Sequence, residues 1–203
     1  MSYEYDVFVS YAHDGQWQRW TSRIFLPLLQ HWLNEELGRP AAIFHDEFID
    51  VGTEWSSTLR DVLSRSRVLL PLLSRRYFAS PACRAELASM LARQDAYGVG
   101  PVAQRRGFIV PAIIHGGEFL DDIGRLRDIQ AIDLRQWGNV WLNQAGPKYE
   151  QLSEALRDEL APAIAAAIRR APPYDERWGN LDLRPYIKAL GAPPPSLQLP
   201  KLS

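Results

Sequence analysis

The chain predicts an α/β fold, a five-stranded parallel sheet with helices on both faces. Three observations carry that expectation. Between residues 5 and 170, stretches of strand length alternate with stretches of helical spacing about five times. Two strand-length runs, 67–73 (RVLLPLL) and 108–114 (FIVPAII), are apolar almost throughout, as strands buried on both faces are. With 203 residues, 46% of them hydrophobic, the chain can build one full core and carry an appendage.

The elements follow in order. Residues 5–11 (YDVFVSY) read as a strand, because Val7 and Val9 alternate with Phe8 and Ser10 and Gly15 follows soon after. Residues 16–37 place Trp17, Trp20, Ile24, Leu28 and Trp32 at helical spacing. Pro27 inside that run predicts a kink, or a split near Phe25. Gly38 predicts the stop. Residues 41–44 make a short strand and 45–53 a polar, acidic loop. Thr53 or Ser56 caps a helix running to Ser64. Strand 67–73 contains Pro71, which lacks the donor a central strand uses. The helix over 81–96 begins on Pro81, a favoured first-turn residue. Strand 108–114 holds Pro111, and 129–134 is a shorter strand. Residues 148–170 form a last helix, apolar at Leu152, Leu156, Leu160 and Ile164 and interrupted at Pro162.

After Arg170 the composition changes. Seven of the fifteen prolines fall in 171–203, which divides the chain into a domain over 1–170 and a proline-rich extension over 171–203. The extension has a short helical stretch over 183–190. Trp178, Tyr186 and Leu190 are its candidates for packing along the domain.

Charge and cysteine content exclude several classes. Twenty-three basic and 24 acidic residues leave a net charge of -1, so no basic field favours nucleic acid or an anionic membrane. A single cysteine excludes an internal disulfide framework and fits a reducing compartment. No apolar run approaches the roughly 20 residues of a membrane helix. The first residues alternate like a strand and lack the pattern of a leader. The expectation is a cytoplasmic protein with no direct nucleic-acid partner and no membrane partner.

Open parallel sheets bind ligands beyond the carboxyl ends of their strands. That rule selects the loops after Tyr11, Phe44, Leu73 and Ile114. They supply His13 and Asp14, then His45, Asp46, Glu47 and Asp50, then Tyr77, Ser80, Cys83 and Glu86. By spacing alone, Glu86 is either a carboxylate reaching into the cleft or an exposed early-turn acid favoured by the helix dipole. Other chemistries fit poorly. Gly98-Val99-Gly100 lacks the third glycine of a dinucleotide fingerprint and joins no strand to a helix. No P-loop or Gly-x-Ser-x-Gly elbow occurs. Four scattered histidines and one cysteine make no zinc site. The strand ending Leu72-Leu73-Ser74 lacks the aspartate of a phospho-acceptor receiver. Cys83 as a nucleophile would require a base such as His13 or His45.

These residues resemble the Toll/interleukin-1 receptor (TIR) domain family over about residues 3–170. The opening YDVFVSYAHD is similar to that family's first strand and loop. Phe44-His45-Asp46 with Gly52 and Leu59 is similar to its second strand, BB loop and helix. Ser66-Arg67, Ser74, Tyr77, Ser80 and Cys83 to Glu86-Leu87 resemble a run of plant and bacterial members, and 107–114 resembles the fourth strand. The resemblance implies a flavodoxin-like sheet. It also implies the activity of the bacterial NAD⁺-cleaving type, with NAD⁺ as substrate and no cofactor or metal. Glu86 is then the catalytic carboxylate. Tyr11, His13, Asp46, Asp50, Trp55 and Cys83 surround the substrate, Trp55 by stacking on a ring. Partners implied are further copies of the domain through TIR–TIR contacts and a sensor or activator protein. A role in bacterial defence or signalling goes with this type.

The chain departs from the family pattern in three places. Ala82 stands where many of the enzymes have Trp, Ala12 and His13 where some have basic residues, and the BB loop is acidic and lacks its usual Pro. These bear on substrate grip and product rather than on fold. Two other readings therefore stand beside the NAD⁺ glycohydrolase. One is a catalytically silent interaction module, which an Arg84 filling the cleft or a Glu86 turned to solvent would favour. The other is a nucleoside transferase using the same carboxylate on a different N-glycoside.

Overall fold

Among the described residues, five parallel strands, counted in chain order, lie in the order 2-1-3-4-5 in one sheet. A computed structural model describes residues 2–13, 15–45, 57–98, 107–116, 130–138 and 146–191. The strands are β1 (Tyr5–Ser10), β2 (Ile43–His45), β3 (Ser66–Leu73), β4 (Ala112–Ile113) and β5 (Ile132–Asp133). The helices are α1 (Gly15–Trp20), α2 (Leu26–Leu37), α3 (Ser57–Ser64), α4 (Arg75–Ala79), α5 (Pro81–Ala96), α6 (Pro147–Ala155), α7 (Ala161–Arg170) and α8 (Arg184–Ala189). The predicted flavodoxin-like sheet is the observed one. Among the described residues no helix is long and apolar enough to cross a membrane.

Alternation along β1 and β3 divides the core in two. Val7, Val9, Val68, Leu70 and Leu72 face α2, α6 and α7 and bury Trp20, Phe25, Leu29, Leu33, Leu156 and Ile164 with them. Phe8, Leu69 and Leu73 face the other way, onto Leu59 and Leu63 of α3, Tyr77 and Phe78 of α4, and Leu87 and Leu91 of α5. One strand thus feeds two clusters, because successive side chains leave opposite faces of a sheet.

Two prolines predicted to break helices do not. Between α1 and α2 the chain stays helical through a wider π segment, Thr21–Phe25, in which Leu26 N–H donates to Thr21 O. The same device joins α6 to α7: Leu156–Leu160 is a π segment, and Ala161 N–H donates to Leu156 O. Each segment ends just before a proline, Pro27 or Pro162. A proline ring collides with the carbonyl four residues back, and a wider turn moves that carbonyl aside. The expected split at Phe25 and the interruption at Pro162 are therefore local widenings of continuous helices. Gly38 ends α2 at φ 65°, the left-handed conformation expected of a stop.

Prolines shorten the sheet instead. Leu69 N–H donates to Phe108 O at 2.8 Å, and Val110 N–H donates to Leu69 O at 2.9 Å. The next donor toward this edge belongs to residue 71, and Pro71 has none. Pairing resumes at Leu72 with Ala112. The predicted strand 108–114 is thereby reduced to a lone bridge at Ile109 and the short β4. The predicted strand 129–134 is reduced to β5, residue 129 itself lying outside the described residues.

Asp6 fastens the edge of the sheet. It is a buried residue, and its carboxylate accepts from Arg39 at 2.6 and 2.8 Å and from Ala42 N–H at 3.0 Å. Burial works against ionisation here. The Arg39 and Ala42 donors outweigh it and hold the carboxyl below the usual range.

Residues 171–191 pack on the domain. Trp178 and Leu190 are buried. The Arg93 guanidinium of α5 lies 3.8 Å from the Trp178 ring centroid and donates to Ser66 O at 2.6 Å. Arg93 also donates to Tyr3 Oη, whose own hydroxyl donates to Pro172 O at 2.8 Å. Burial lowers the Arg93 pKa to about 10, which still leaves it charged at neutral pH. Tyr186 donates to Asp95 at 3.0 Å. Trp178, Tyr186 and Leu190 thus make the contacts that their positions in a polar, proline-rich stretch suggested.

Candidate functional site

The carboxyl ends of β1 and β3 face the first turns of α4 and α5. Two serines set those turns. Ser74 Oγ accepts from Tyr77 N–H at 3.2 Å and starts α4, and Ser80 Oγ accepts from Cys83 N–H at 3.3 Å and starts α5. Each satisfies an amide that a helix start leaves without an internal partner. Pro81 follows at the first position of α5, where a missing N–H costs nothing. The helix bounds match the predicted 81–96. The caps fix where Tyr77, Cys83 and Glu86 emerge.

Glu86 is turned inward and is 5% exposed. Its Oε2 is 2.5 Å from Ser10 Oγ, on the last residue of β1. Ser10 Oγ is in turn 2.9 Å from Tyr77 Oη. Three elements, β1, α4 and α5, therefore meet at one polar point inside the otherwise apolar cluster of Phe8, Leu73, Phe78 and Leu87. Glu86 is not the exposed early-turn acid that spacing also allowed, since it is buried and faces the end of β1. Arg84, two residues earlier, points elsewhere. It donates to Ile187 O at 3.1 Å and to Gly191 O, holding the end of α8.

Electrostatics keep the neighbours neutral. Burial pushes the Tyr77 phenol well above its ordinary value, and the nearby Cys83 and Glu86 raise it further. Burial likewise pushes the Cys83 thiol far up, with Glu86 adding to the effect. A thiol so placed is not a thiolate at neutral pH, so it packs as a small apolar group. Tyr77 and Cys83 are thereby held in their neutral forms beside Glu86.

The remaining predicted residues fall as follows. Tyr11 packs in the cluster on the α2 and α7 side with Val7 and Val9, the sheet face opposite to Phe8, and its ring stacks on His13 at 4.7 Å. His13 is half-buried in the loop after β1. Cys83 is buried beside Tyr77 and Glu86. Asp46, Asp50 and Trp55 lie outside the described residues. Among the described residues no group of three His, Cys, Asp or Glu is placed to hold a metal ion.

Sequence reasoning missed Ser10 as a site residue and gave Tyr77 no partner. The signal for Ser10 was present. It shares the face of Phe8 in an apolar strand and stands at the carboxyl end, where a polar side chain is out of keeping with its neighbours.

The arrangement places a hydrogen-bonded carboxylate at the carboxyl end of β1. Such a group can hold hydroxyls and stabilise developing positive charge. The family model described as TIR domain matches residues 7–153. A comparison with curated proteins gives no match. One solved chain similar to this one is a TIR domain in the activated Roq1 resistosome directly recognizing the pathogen effector XopQ. It is 18% identical with a TM-score of 0.39, and the alignment covers 91% of this chain and 96% of that one.

Proposed function

The chain belongs to the TIR domain family, and from that premise we propose that it is an NAD⁺ glycohydrolase with Glu86 as its catalytic carboxylate. The observation that carries the proposal is the inward-turned Glu86, bound to Ser10 at the carboxyl end of β1. An adaptor needs no buried carboxylate there, and burying one costs free energy unless it is hydrogen-bonded.

The reaction follows from charge. The bond between the nicotinamide nitrogen and C1′ of the ribose breaks, and its electron pair leaves with the ring. Cationic nicotinamide thereby departs as a neutral molecule, so little acid catalysis is required. The ribose is left oxocarbenium-like, as in glycoside cleavage. Glu86 stabilises that charge and holds the ribose hydroxyls. Water then adds at C1′ and gives up a proton, yielding ADP-ribose, nicotinamide and H⁺. Attack by the adenine ring in place of water yields a cyclic product. His13 and the BB loop residues Asp46, Asp50 and Trp55 are proposed to contact the substrate.

A second reading is favoured by Ala82, which precedes Cys83 where many of the enzymes have Trp. In it the domain only pairs with other TIR domains. Arg84 supports the enzyme over this reading, because it is engaged by the end of α8 rather than by the cleft. In the enzyme reading the site is completed by a second copy or an activator. The discriminating experiment follows NAD⁺ consumption across a hundredfold range of protein concentration. The enzyme reading expects a rate that rises more steeply than linearly. Absence of consumption at every concentration, with self-association still measurable by light scattering, would establish the interaction module instead.

A further inference from the structure

We infer that Ser10 and Tyr77 are positioning residues that hold Glu86 ionised and oriented, an inference that rests on Glu86 being the reactive carboxylate. Tyr77 is fully buried and keeps its hydroxyl proton at any working pH. Ser10, 2% exposed, also has one proton. Ionised Glu86 has none and can only accept. With Glu86 ionised, both short contacts of Ser10 Oγ are satisfied when Tyr77 donates to Ser10 and Ser10 donates to Glu86 Oε2, whereas a protonated Glu86 would reverse the chain. The chain is therefore directional. Every proton in it points toward the carboxylate, and a hydrogen bond to an ionised acceptor is the stronger kind.

The geometry adds orientation to charge. Ser10 is on β1, paired in register with Pro71 of β3. Tyr77 is on α4, started by its own serine cap. Glu86 is on α5. A side chain tied to a second element, which is itself tied to a third, loses the rotamer freedom that a glutamate otherwise has, and reacting groups held this way react faster. Among the described residues, Tyr77 from α4 and Cys83 from its own helix stand beside the carboxylate, and burial keeps both neutral. Neither masks its titration.

The test uses the full chain as wild type, Ser10→Ala and Tyr77→Phe, with glutamate labelled at the carboxyl carbon. The Glu86 signal is identified by its loss in Glu86→Gln. Removing the Ser10 donor moves the Glu86 titration midpoint to higher pH, because a hydrogen bond to the charged form favours that form. Tyr77→Phe moves it in the same direction by less. In kinetics, Ser10→Ala lowers kcat about 10- to 100-fold while KM stays within about threefold, as expected when transition-state interactions are lost rather than uniform binding. Tyr77→Phe removes one atom and preserves packing, so it serves if Ser10→Ala does not fold. A midpoint unmoved in both variants overturns the inference, whatever the activity. A moved midpoint in a wild type that does not consume NAD⁺ leaves the hydrogen-bond chain standing and overturns the NAD⁺ reading alone.

Discussion

Trp178 lies beyond residue 153, where the family match ends, yet the structure makes it a main support of the domain. It is 7% exposed. Its ring covers the Arg93 guanidinium at 3.8 Å, stacks on Tyr3 at 5.9 Å and meets Tyr174 edge-on at 5.8 Å. Trp178→Ala deletes a buried aromatic, a change that costs about 3–5 kcal/mol. Within that figure, a desolvated cation–π contact accounts for about 2 kcal/mol. The remainder is lost burial and the space left over Arg93. Domains of this size are stable by about 5–15 kcal/mol, so the substitution should remove a large part of the total. The assay is urea unfolding followed by far-UV circular dichroism, since seven tryptophans confuse a fluorescence readout. A loss under about 1 kcal/mol would refute the reasoning, and would mean that residues 171–191 are an appendage that merely touches the domain. The proposal that follows is that the folding unit extends to about residue 191.

Asp6 gives a pH-dependent prediction. Its folded pKa is lowered, so its stabilising effect is complete above the ordinary carboxylate value of about 3.9 and is lost as pH falls through the lower folded value. Asp6→Asn should cost about 1–2 kcal/mol at pH 7, discounted because Arg39 is half exposed, and the difference from wild type should shrink as the pH falls below about 4. Urea midpoints at pH 7 and pH 3 check both statements. Cys83 should resist a thiol reagent such as dithiobis(nitrobenzoate) in the native protein and react promptly in denaturant, because it is buried and its thiol is raised. Rapid labelling of native protein would contradict its placement.

How far the chain could be read in advance depended on whether the cause was local. Helix α5 was legible because its start signal, Ser80-Pro81, is local chemistry. The end of α2 was legible because Gly38 marks it. The faces of β1 and β3 were legible from alternation. The lengths of β4 and β5 were not, because they depend on which neighbour a proline faces, and Pro71 withholds its donor from a strand about forty residues later. The form the helix takes at Pro27 and Pro162 was not legible for a related reason. A proline announces a conflict with the backbone, and the sequence does not say whether a break or a wider turn resolves it.

In the site, spacing left Glu86 open between cleft and surface, and the family resemblance singled it out. Its partners were not legible, since Ser10 and Tyr77 are 67 residues apart and Ser10 and Glu86 are 76 apart. Such contacts arise only when the sheet order is known. The buried Arg93 left no signal either. It stands in a helix as any solvated arginine would, and its burial arises from Ser66, Tyr3, Phe108 and Trp178, which come to it from distant parts of the chain.

The most direct test of the central claim is release of free nicotinamide from NAD⁺, followed by proton NMR with wild type and Glu86→Gln at matched, high protein concentration. Glutamine keeps the size of Glu86 and removes its charge, and urea unfolding of both proteins checks that the fold survives. Nicotinamide release by wild type and a fall of about a hundred- to a thousandfold in the variant are expected, as for loss of a main transition-state charge interaction. Equal release by the two proteins would contradict the claim.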